Sequence, residues 1–130
     1  MKKVFLGGTC NNSQWREKLI PLLKIDYFNP VVANWMPECQ QKEIEERENS
    51  DFCLYVITPK MTGVYSIAEV VDDSNKRPEK TLFCFLGDDE DKVFEKHQLK
   101  ALTQVAKMVI NNGGKGFNTL EMVADYLNNN

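Results

Sequence analysis

Short apolar segments alternate with segments of helical periodicity along the whole of this chain. The clearest apolar segment is Phe52–Ile57, a run rich in β-branched and aromatic residues that Thr58 and Pro59 close, which predicts a buried strand. After it, apolar residues recur at helical spacing from Ile67 to Val71, which predicts a helix. Strands that alternate with helices in this way pair in parallel, because each helix carries the chain back to the start of the next strand. The sequence therefore predicts an α/β fold, in which helices cover both faces of a parallel sheet.

The same patterns place the other elements along the chain. Strands are predicted at 3–6, 25–28, 52–57 and 81–86, with a short fifth strand at 115–118. Helices are predicted after an N-cap at Ser13, at 37–49, at 65–75, at 92–111, and from Leu120 after a cap at Thr119. Pro21 should divide the first helix, because proline removes a backbone donor and crowds the preceding turn. Residues 1–130 are predicted to form a single domain.

Composition and charge exclude several classes of protein. Of the 130 residues, 42% are hydrophobic, and the formal net charge of −3 argues against a partner that is a nucleic acid polymer. The apolar stretch near the N-terminus is too short for a signal peptide or a membrane span, so a soluble, cytoplasmic protein without a membrane partner is expected. The four cysteines have no CxxC spacing and there is one histidine, so no metal site is predicted. No cofactor is predicted either, because Gly7-Gly8-Thr9 matches neither the dinucleotide fingerprint nor the phosphate-binding loop.

Two segments that follow strands carry the residues best suited to chemistry. Ligands of parallel α/β sheets bind at the carboxyl ends of the strands. Gly7, Gly8 and Thr9 follow the first strand, where they form either a ligand-binding turn with exposed amides or simply a tight connection to the helix. Glu69 lies in the helix after the third strand, where a carboxylate can act as a nucleophile or as an acid. An exposed helical glutamate would show the same pattern.

Three other acidic residues have a structural interpretation beside a functional one. Glu43 belongs to a row of acids on the second helix, and such a row is usually a solvated face. Asp72 and Asp73 extend the acidic stripe beyond Glu69 and are expected to be solvated, or paired with Lys76 or Arg77. None of the three is assigned a role in chemistry from the pattern alone.

Aromatic residues near the strand ends are expected to belong to the core more often than to a ligand platform. These are Phe5, Trp15 and Trp35. Cys10 follows the glycine turn, but no histidine lies near it in the sequence to activate a thiol, so it is not expected to be a nucleophile.

Four short segments are informative when they are taken together. They are Val4-Phe5-Leu6-Gly7-Gly8-Thr9, Asn29-Pro30 after the second strand, Ser50-Asp51 before the third strand, and Pro59 ten residues ahead of Glu69. In these segments the chain resembles the nucleoside 2-deoxyribosyltransferase-like superfamily over about residues 3–86, and the segment that ends at Glu69 is the most specific. The resemblance implies a flavodoxin-like, doubly wound parallel sheet of four to five strands with helices on both faces. It also implies a homo-oligomer.

The resemblance further implies a reaction at the N-glycosidic bond of a nucleoside or nucleotide. Glu69 would attack the anomeric carbon and form a covalent glycosyl-enzyme through an oxocarbenium-like transition state, and Glu43 would carry protons. A second base, or water, would then resolve the intermediate. The residues expected to bind substrate are Phe5, Gly7, Gly8, Thr9, Gly63 and Ser66.

Two positions depart from the family pattern. Phe5 stands where family transferases usually have a tyrosine that positions the glutamate, and Thr62-Gly63 stands where they carry an acid that recognises the base. The sequence therefore leaves three hypotheses open: a deoxyribosyltransferase or N-glycoside hydrolase, a non-catalytic binding module for a nucleotide-derived metabolite, and an interaction protein without a small-molecule site. If the substrate carries a phosphate, basic or hydroxyl groups near the glycine turn are available at Thr9, Ser13, Arg16 and Ser66.

Overall fold

A computed structural model of the chain describes residues 1–10 and 12–130. The strands are β1 (Lys3–Gly8), β2 (Asp26–Phe28), β3 (Phe52–Ile57), β4 (Thr81–Phe85), β5 (Asp88–Asp89), β6 (Lys92–Val93) and β7 (Lys115–Phe117). The helices are α1 (Trp15–Leu19), α2 (Pro37–Asn49), α3 (Tyr65–Lys76), α4 (Lys96–Asn111) and α5 (Leu120–Asn129), with 3₁₀ turns at Ile20–Leu22 and Pro78–Lys80. None of these helices is both long enough and apolar enough to cross a membrane.

Five of the strands form one parallel sheet in the order β2-β1-β3-β4-β7. In this order β2 is added on one side of β1 and all later strands are added on the other side, as in flavodoxin-like folds. Successive side chains of a strand point to opposite faces. Leu54 of β3 therefore packs with residues of α1 and α5, whereas its neighbour Tyr55 packs with residues of α3 and α4. The predicted flavodoxin-like sheet with helices on both faces is confirmed.

Most element positions agree with the sequence patterns. The strand at Phe52–Ile57 and the helix at Pro37–Asn49 have the predicted bounds. Pro21 divides the first helix as predicted, because α1 ends at Leu19 and a 3₁₀ turn follows. The predicted cap of α5 is also confirmed, since Oγ1 of Thr119 accepts a hydrogen bond from the backbone N–H of Met122 at 3.1 Å.

The prediction of a helix over 92–111 is wrong at its beginning. Lys92–Val93 pairs with Asp88–Asp89 as an antiparallel hairpin, and α4 begins only at Lys96. Glu95 precedes the helix in an extended conformation, and its backbone N–H donates to Oε1 of Gln98 at 2.8 Å. This bond from the backbone N–H of the residue before the helix to a side chain of its first turn is a helix-start signal that the apolar periodicity does not contain.

The predicted N-cap at Ser13 is also wrong. Gln14 occupies the position before α1, and the Ser13 hydroxyl donates instead to the Asp89 carboxylate of the hairpin. This contact orients the Ser13 side chain toward the hairpin, and α1 begins one residue later than a cap at Ser13 would place it.

Candidate active site

A cavity of about 480 Å³ lies at the carboxyl ends of β1 and β3, between the loops that lead into α1, α2 and α3. This is the edge at which open α/β sheets bind ligands. The residues that the sequence proposed for catalysis and substrate binding all line it: Phe5, Gly7, Gly8, Thr9, Glu43, Gly63, Ser66 and Glu69. The fold therefore brings together side chains that are separated by up to 64 positions in the sequence.

The glycine turn is shaped by its contact with β3. Gly8 has φ +118°, and a Cβ placed on it would lie 2.0 Å from the carbonyl oxygen of Val56, so no larger residue fits without a shift of the backbone. Thr9 continues the contact, because its N–H donates to Val56 O at 2.9 Å and its Oγ1 accepts from Thr58 N at 3.0 Å. The turn is thus held against the neighbouring strand, and its position at the cavity is fixed by the sheet.

Arg16 fixes the same turn from the other side. Its buried guanidinium donates to the carbonyl oxygens of Leu6 at 3.0 and 2.9 Å and of Thr9 at 2.7 Å, and it lies over the ring of Trp15. Burial lowers the pKa of Arg16 to about 10, so the group still carries its charge at neutral pH. Arg16 lines the cavity, but its hydrogen bonds to the backbone make it a support of the glycine turn. The Ser13 hydroxyl, which the sequence also offered to a phosphate, is bonded to Asp89.

Glu69 lies in the second turn of α3 with a side chain that is only 12% exposed. Burial raises the pKa of its carboxyl to about 7, and the negative charges of Glu43 and Asp73 act in the same direction, while Arg47 opposes them. An ordinary solvated helical glutamate has none of these features. A carboxylate with such a perturbed pKa in a cleft is typical of a functional group.

Glu43 lies on α2 and faces the same cavity as Glu69. Burial raises the pKa of Glu43 as well, and the nearby charges of Arg47 and Arg16 partly oppose the effect. The two glutamates also line a smaller adjoining pocket of about 230 Å³. The acidic face of α2 is therefore not uniformly solvated, because one of its members points into the site.

Arg47, which the sequence did not single out, lies one helical turn after Glu43 and pairs with Glu69, with 3.5 Å between Nη1 and Oε2. Its Nη2 lies 2.8 Å from Oδ1 of Asp73, which is fully buried. Of the two alternatives expected for Asp73, solvation is not found, because the guanidiniums of Arg47 and Arg77 and the Tyr55 hydroxyl surround its carboxylate. The ion pair with Arg77 is as predicted.

The mouth of the cavity is aromatic. Trp35 is 57% exposed and Tyr65 is 66% exposed, and both line the cavity. The expectation that Trp35 belongs to the core is wrong, because it lies in the irregular segment between the edge strand β2 and α2, outside the sheet and the helices. Trp15 and Phe5 are buried as expected.

A family model described as nucleoside 2-deoxyribosyltransferase like matches residues 1–86, which is two thirds of the chain. The chain belongs to the nucleoside 2-deoxyribosyltransferase-like family. The matched residues run from β1 to the end of β4 and contain every residue that the sequence proposed for the site. No curated protein and no solved structure matches this family member significantly.

The family assignment leaves some expectations as predictions. Residues 87–130 lie outside the matched part, yet β7 pairs with β4 and α5 contributes Val123 and Leu127 to one core, as a single domain would require. The homo-oligomer stays a prediction, which sedimentation velocity would check.

Within residues 1–10 and 12–130, no three His, Cys, Asp or Glu side chains are arranged to hold a metal ion.

Proposed function

We propose that this family member cleaves the N-glycosidic bond of a nucleoside or nucleotide, or transfers its deoxyribosyl group, with Glu69 as nucleophile. The observation that carries the proposal is the pair of glutamates in one cavity: Glu69 and Glu43 both line it, and burial raises the pKa of both. Enzymes that act on glycosidic bonds through a covalent intermediate use a pair of carboxyl groups in this way. The family match supports nucleosides as the class of substrate.

The reaction proceeds in two displacements. An oxygen of ionised Glu69 forms a bond to C1′ of the sugar as the bond from C1′ to the base nitrogen breaks, and the base takes both electrons of that bond. The Glu43 carboxyl gives its proton to the departing base. Another base or a water molecule then attacks C1′ and returns its proton to Glu43, and the ester bond to Glu69 breaks to regenerate the carboxylate.

The cavity offers each part of such a substrate a suitable surface. The sugar lies against the Gly7-Gly8 backbone, where a side chain would leave no room for close approach. The Ser66 hydroxyl, three residues before Glu69, accepts or donates a hydrogen bond to the sugar. The base lies between the exposed rings of Trp35 and Tyr65, which provide flat apolar faces for stacking.

A turnover assay tests the proposal directly. Wild-type and Glu69→Ala proteins are incubated with deoxynucleosides, ribonucleosides and their 5′-monophosphates, with and without an acceptor base. Wild type is expected to release or exchange the base, and Glu69→Ala is expected to lose this activity. Dependence on the acceptor would identify a transferase, whereas release in water would identify a hydrolase. Absence of turnover by folded wild type on every substrate would overturn the proposal.

A binding module for a nucleotide-derived metabolite is the second candidate. Phe5 favours it, because the side chain in β1 at the cavity has no hydroxyl to orient Glu69. Calorimetric titration of the same panel separates the two candidates. Binding with micromolar affinity but without turnover would favour the module, and in that case Glu69→Gln would retain binding.

The role of Glu43 gives a separate prediction. Glu43→Gln is expected to reduce kcat by about 10²–10⁴-fold on natural nucleosides, because the base then leaves without a proton. A substrate with a good leaving group, such as p-nitrophenyl 2-deoxyriboside, needs no proton and is expected to react at nearly the wild-type rate. Glu45→Gln, on an exposed position of the same helix, is the matched control. Equal losses on both substrates would remove Glu43 from the proton-transfer role.

A further inference from the structure

Arg47 lies at the centre of a largely buried cluster of acidic groups between α2 and α3. Its side chain is 11% exposed, and it forms ion pairs with Glu69 at 3.5 Å, Asp72 at 3.3 Å and Asp73 at 2.8 Å. The site proposed above uses only Glu69 among these groups. The cluster therefore contains a cation, Arg47, that takes no part in the reaction steps described above.

The guanidinium of Arg47 is held from behind by Asp73. Nε and Nη2 donate to the two oxygens of that carboxylate at 3.3 and 2.8 Å, which is the bidentate geometry that fixes the plane of a guanidinium. Asp73 itself is fixed by Nε of Arg77 at 3.0 Å and by the Tyr55 hydroxyl of β3. With one edge of the guanidinium fixed in this way, Nη1 of Arg47 lies 3.5 Å from Oε2 of Glu69.

Phe5 explains why Glu69 needs the contact with Arg47. Phe5 belongs to β1 and lines the cavity, and the centroid of its ring lies 6.1 Å from that of the Tyr55 ring. Its side chain has no group that could form a hydrogen bond with Glu69. Tyr55 is on the neighbouring strand, but its hydroxyl is already bonded to Asp73. The series of contacts from Tyr55 through Asp73 to Arg47 thus ends at the carboxylate of Glu69, to which β1 provides no hydrogen bond.

We propose that Arg47 is the positioning residue of Glu69, held rigid by Asp73 and Tyr55 so that the glutamate carboxylate keeps a fixed place in the cavity. The inference rests on the proposed function for its catalytic consequence, but the contact itself is a property of the folded protein. It assigns to a buried cation on α2 the task that Phe5 cannot perform.

The electrostatic surroundings of Glu69 make this proposal measurable. The charged and titratable groups around its cavity and cluster are Cys10, Arg16, Glu43, Arg47, Tyr55, Tyr65, Asp72, Asp73, Lys76 and Arg77. Arg47 is the cation that opposes the effects of burial, Glu43 and Asp73 on the Glu69 carboxyl. Removing it should raise the pKa of Glu69 further above about 7, by about 1–3 pH units for the loss of an adjacent opposite charge.

The test compares Arg47→Gln with Arg77→Gln. Both substitutions remove an arginine that pairs with Asp73, but only Arg47 contacts Glu69. The midpoint of Glu69 is followed by carbon-13 NMR titration of the side-chain carboxyls, with its signal assigned by its absence from Glu69→Gln protein. The midpoint is expected to rise in Arg47→Gln and to stay at the wild-type value in Arg77→Gln. Equal midpoints in both variants would overturn the proposal.

Kinetics add a readout that a purely structural role would not move. Arg47→Gln is expected to lower kcat by about 10²-fold with little change in KM, because the nucleophile is misplaced while the binding surfaces remain. If Arg47→Gln does not fold, Arg47→Lys replaces it, since one ammonium cannot hold Asp73 and Glu69 together. A smaller rise in the Glu69 midpoint then supports the proposal, and an unchanged midpoint contradicts it. If wild type shows no turnover, the proposed function fails, yet the NMR comparison still decides the role of Arg47.

Discussion

Glu69→Gln is expected to be more stable than wild type at pH 8 and to have lost its turnover. The folded-state pKa of Glu69 is about 7, whereas the carboxyl titrates near 4.5 in the unfolded chain. Below pH 4.5 both states are protonated and the burial costs nothing. Between pH 4.5 and 7 the unfolded state ionises first, so the free energy of unfolding falls as the pH rises. Above pH 7 the loss is complete, and from the shift it amounts to about 3 kcal/mol.

Glutamine has nearly the shape of glutamate but never ionises, so it is expected to recover most of this free energy at pH 8. Urea unfolding at pH 4.5 and pH 8 measures the effect, and the two proteins are expected to agree at the lower pH. Glu45→Gln, on the exposed face of α2, provides the control for removal of a charge. A Glu69→Gln protein that is less stable than wild type at pH 8 would show that Arg47 more than compensates for the burial of this carboxylate.

The same substitution removes the nucleophile. An amide forms no stable ester with C1′, so base release is expected to fall by at least about 10³-fold at every pH. Gain of stability and loss of activity in one variant would identify Glu69 as a residue retained for chemistry at a cost to folding. A helical glutamate that was merely exposed would change neither property.

Asp73→Asn is expected to have the largest effect on stability. Asp73 is fully buried, and its carboxylate is the shared partner of Arg47, Arg77 and the Tyr55 hydroxyl. Asparagine removes the fully buried charge that pairs with both guanidiniums and leaves Arg47 only its pairs with Glu69 and Asp72. Breaking a buried ion pair in this way destabilises proteins by about 3–5 kcal/mol. For a domain of this size the melting temperature should fall by on the order of 10–20 °C.

Asp72 provides a matched control for this prediction. It is the adjacent residue, its side chain is 44% exposed, and it pairs with Lys76 at 3.2 Å and with Arg47 at 3.3 Å. Exposed ion pairs contribute about 0–1 kcal/mol, so Asp72→Asn is expected to melt within a few degrees of wild type. Thermal unfolding followed by circular dichroism compares the two variants. Equal losses would mean that burial is not what makes the pairs of Asp73 important.

Local pattern predicted most of the sheet because its strands are short apolar runs whose environment differs sharply from that of the loops. Phe52–Ile57 is buried at every position, and the sequence shows this directly. The hairpin that follows β4 was missed, since its residues are mostly acidic and have low strand propensity. Its turn passes through Glu90 at φ 55°, a conformation that composition does not reveal.

The position of the site could be predicted from the topology of the sheet, but the ion pairs behind Glu69 could not. Parallel pairing alone brings Gly8 and the segment before Glu69 to one edge of the sheet, so the candidate residues could be selected in advance. The contact between Arg47 and Asp73 joins two helices across 26 positions, and in sequence both side chains resemble surface charges. Only packing of α2 beside α3 shows that they are buried together.

The two tryptophans of the chain lie in opposite environments. Trp15 is buried and its indole N–H donates to Thr9 O at 2.7 Å, whereas Trp35 stands largely in solvent at the mouth of the cavity. Their fluorescence therefore carries separable information. A nucleoside that covers Trp35 would quench or shift the solvent-exposed emission, and loss of the fold would change the emission of Trp15. Intrinsic fluorescence can thus follow the unlabelled protein, with Trp35 reporting on occupancy of the cavity and Trp15 on folding of the core.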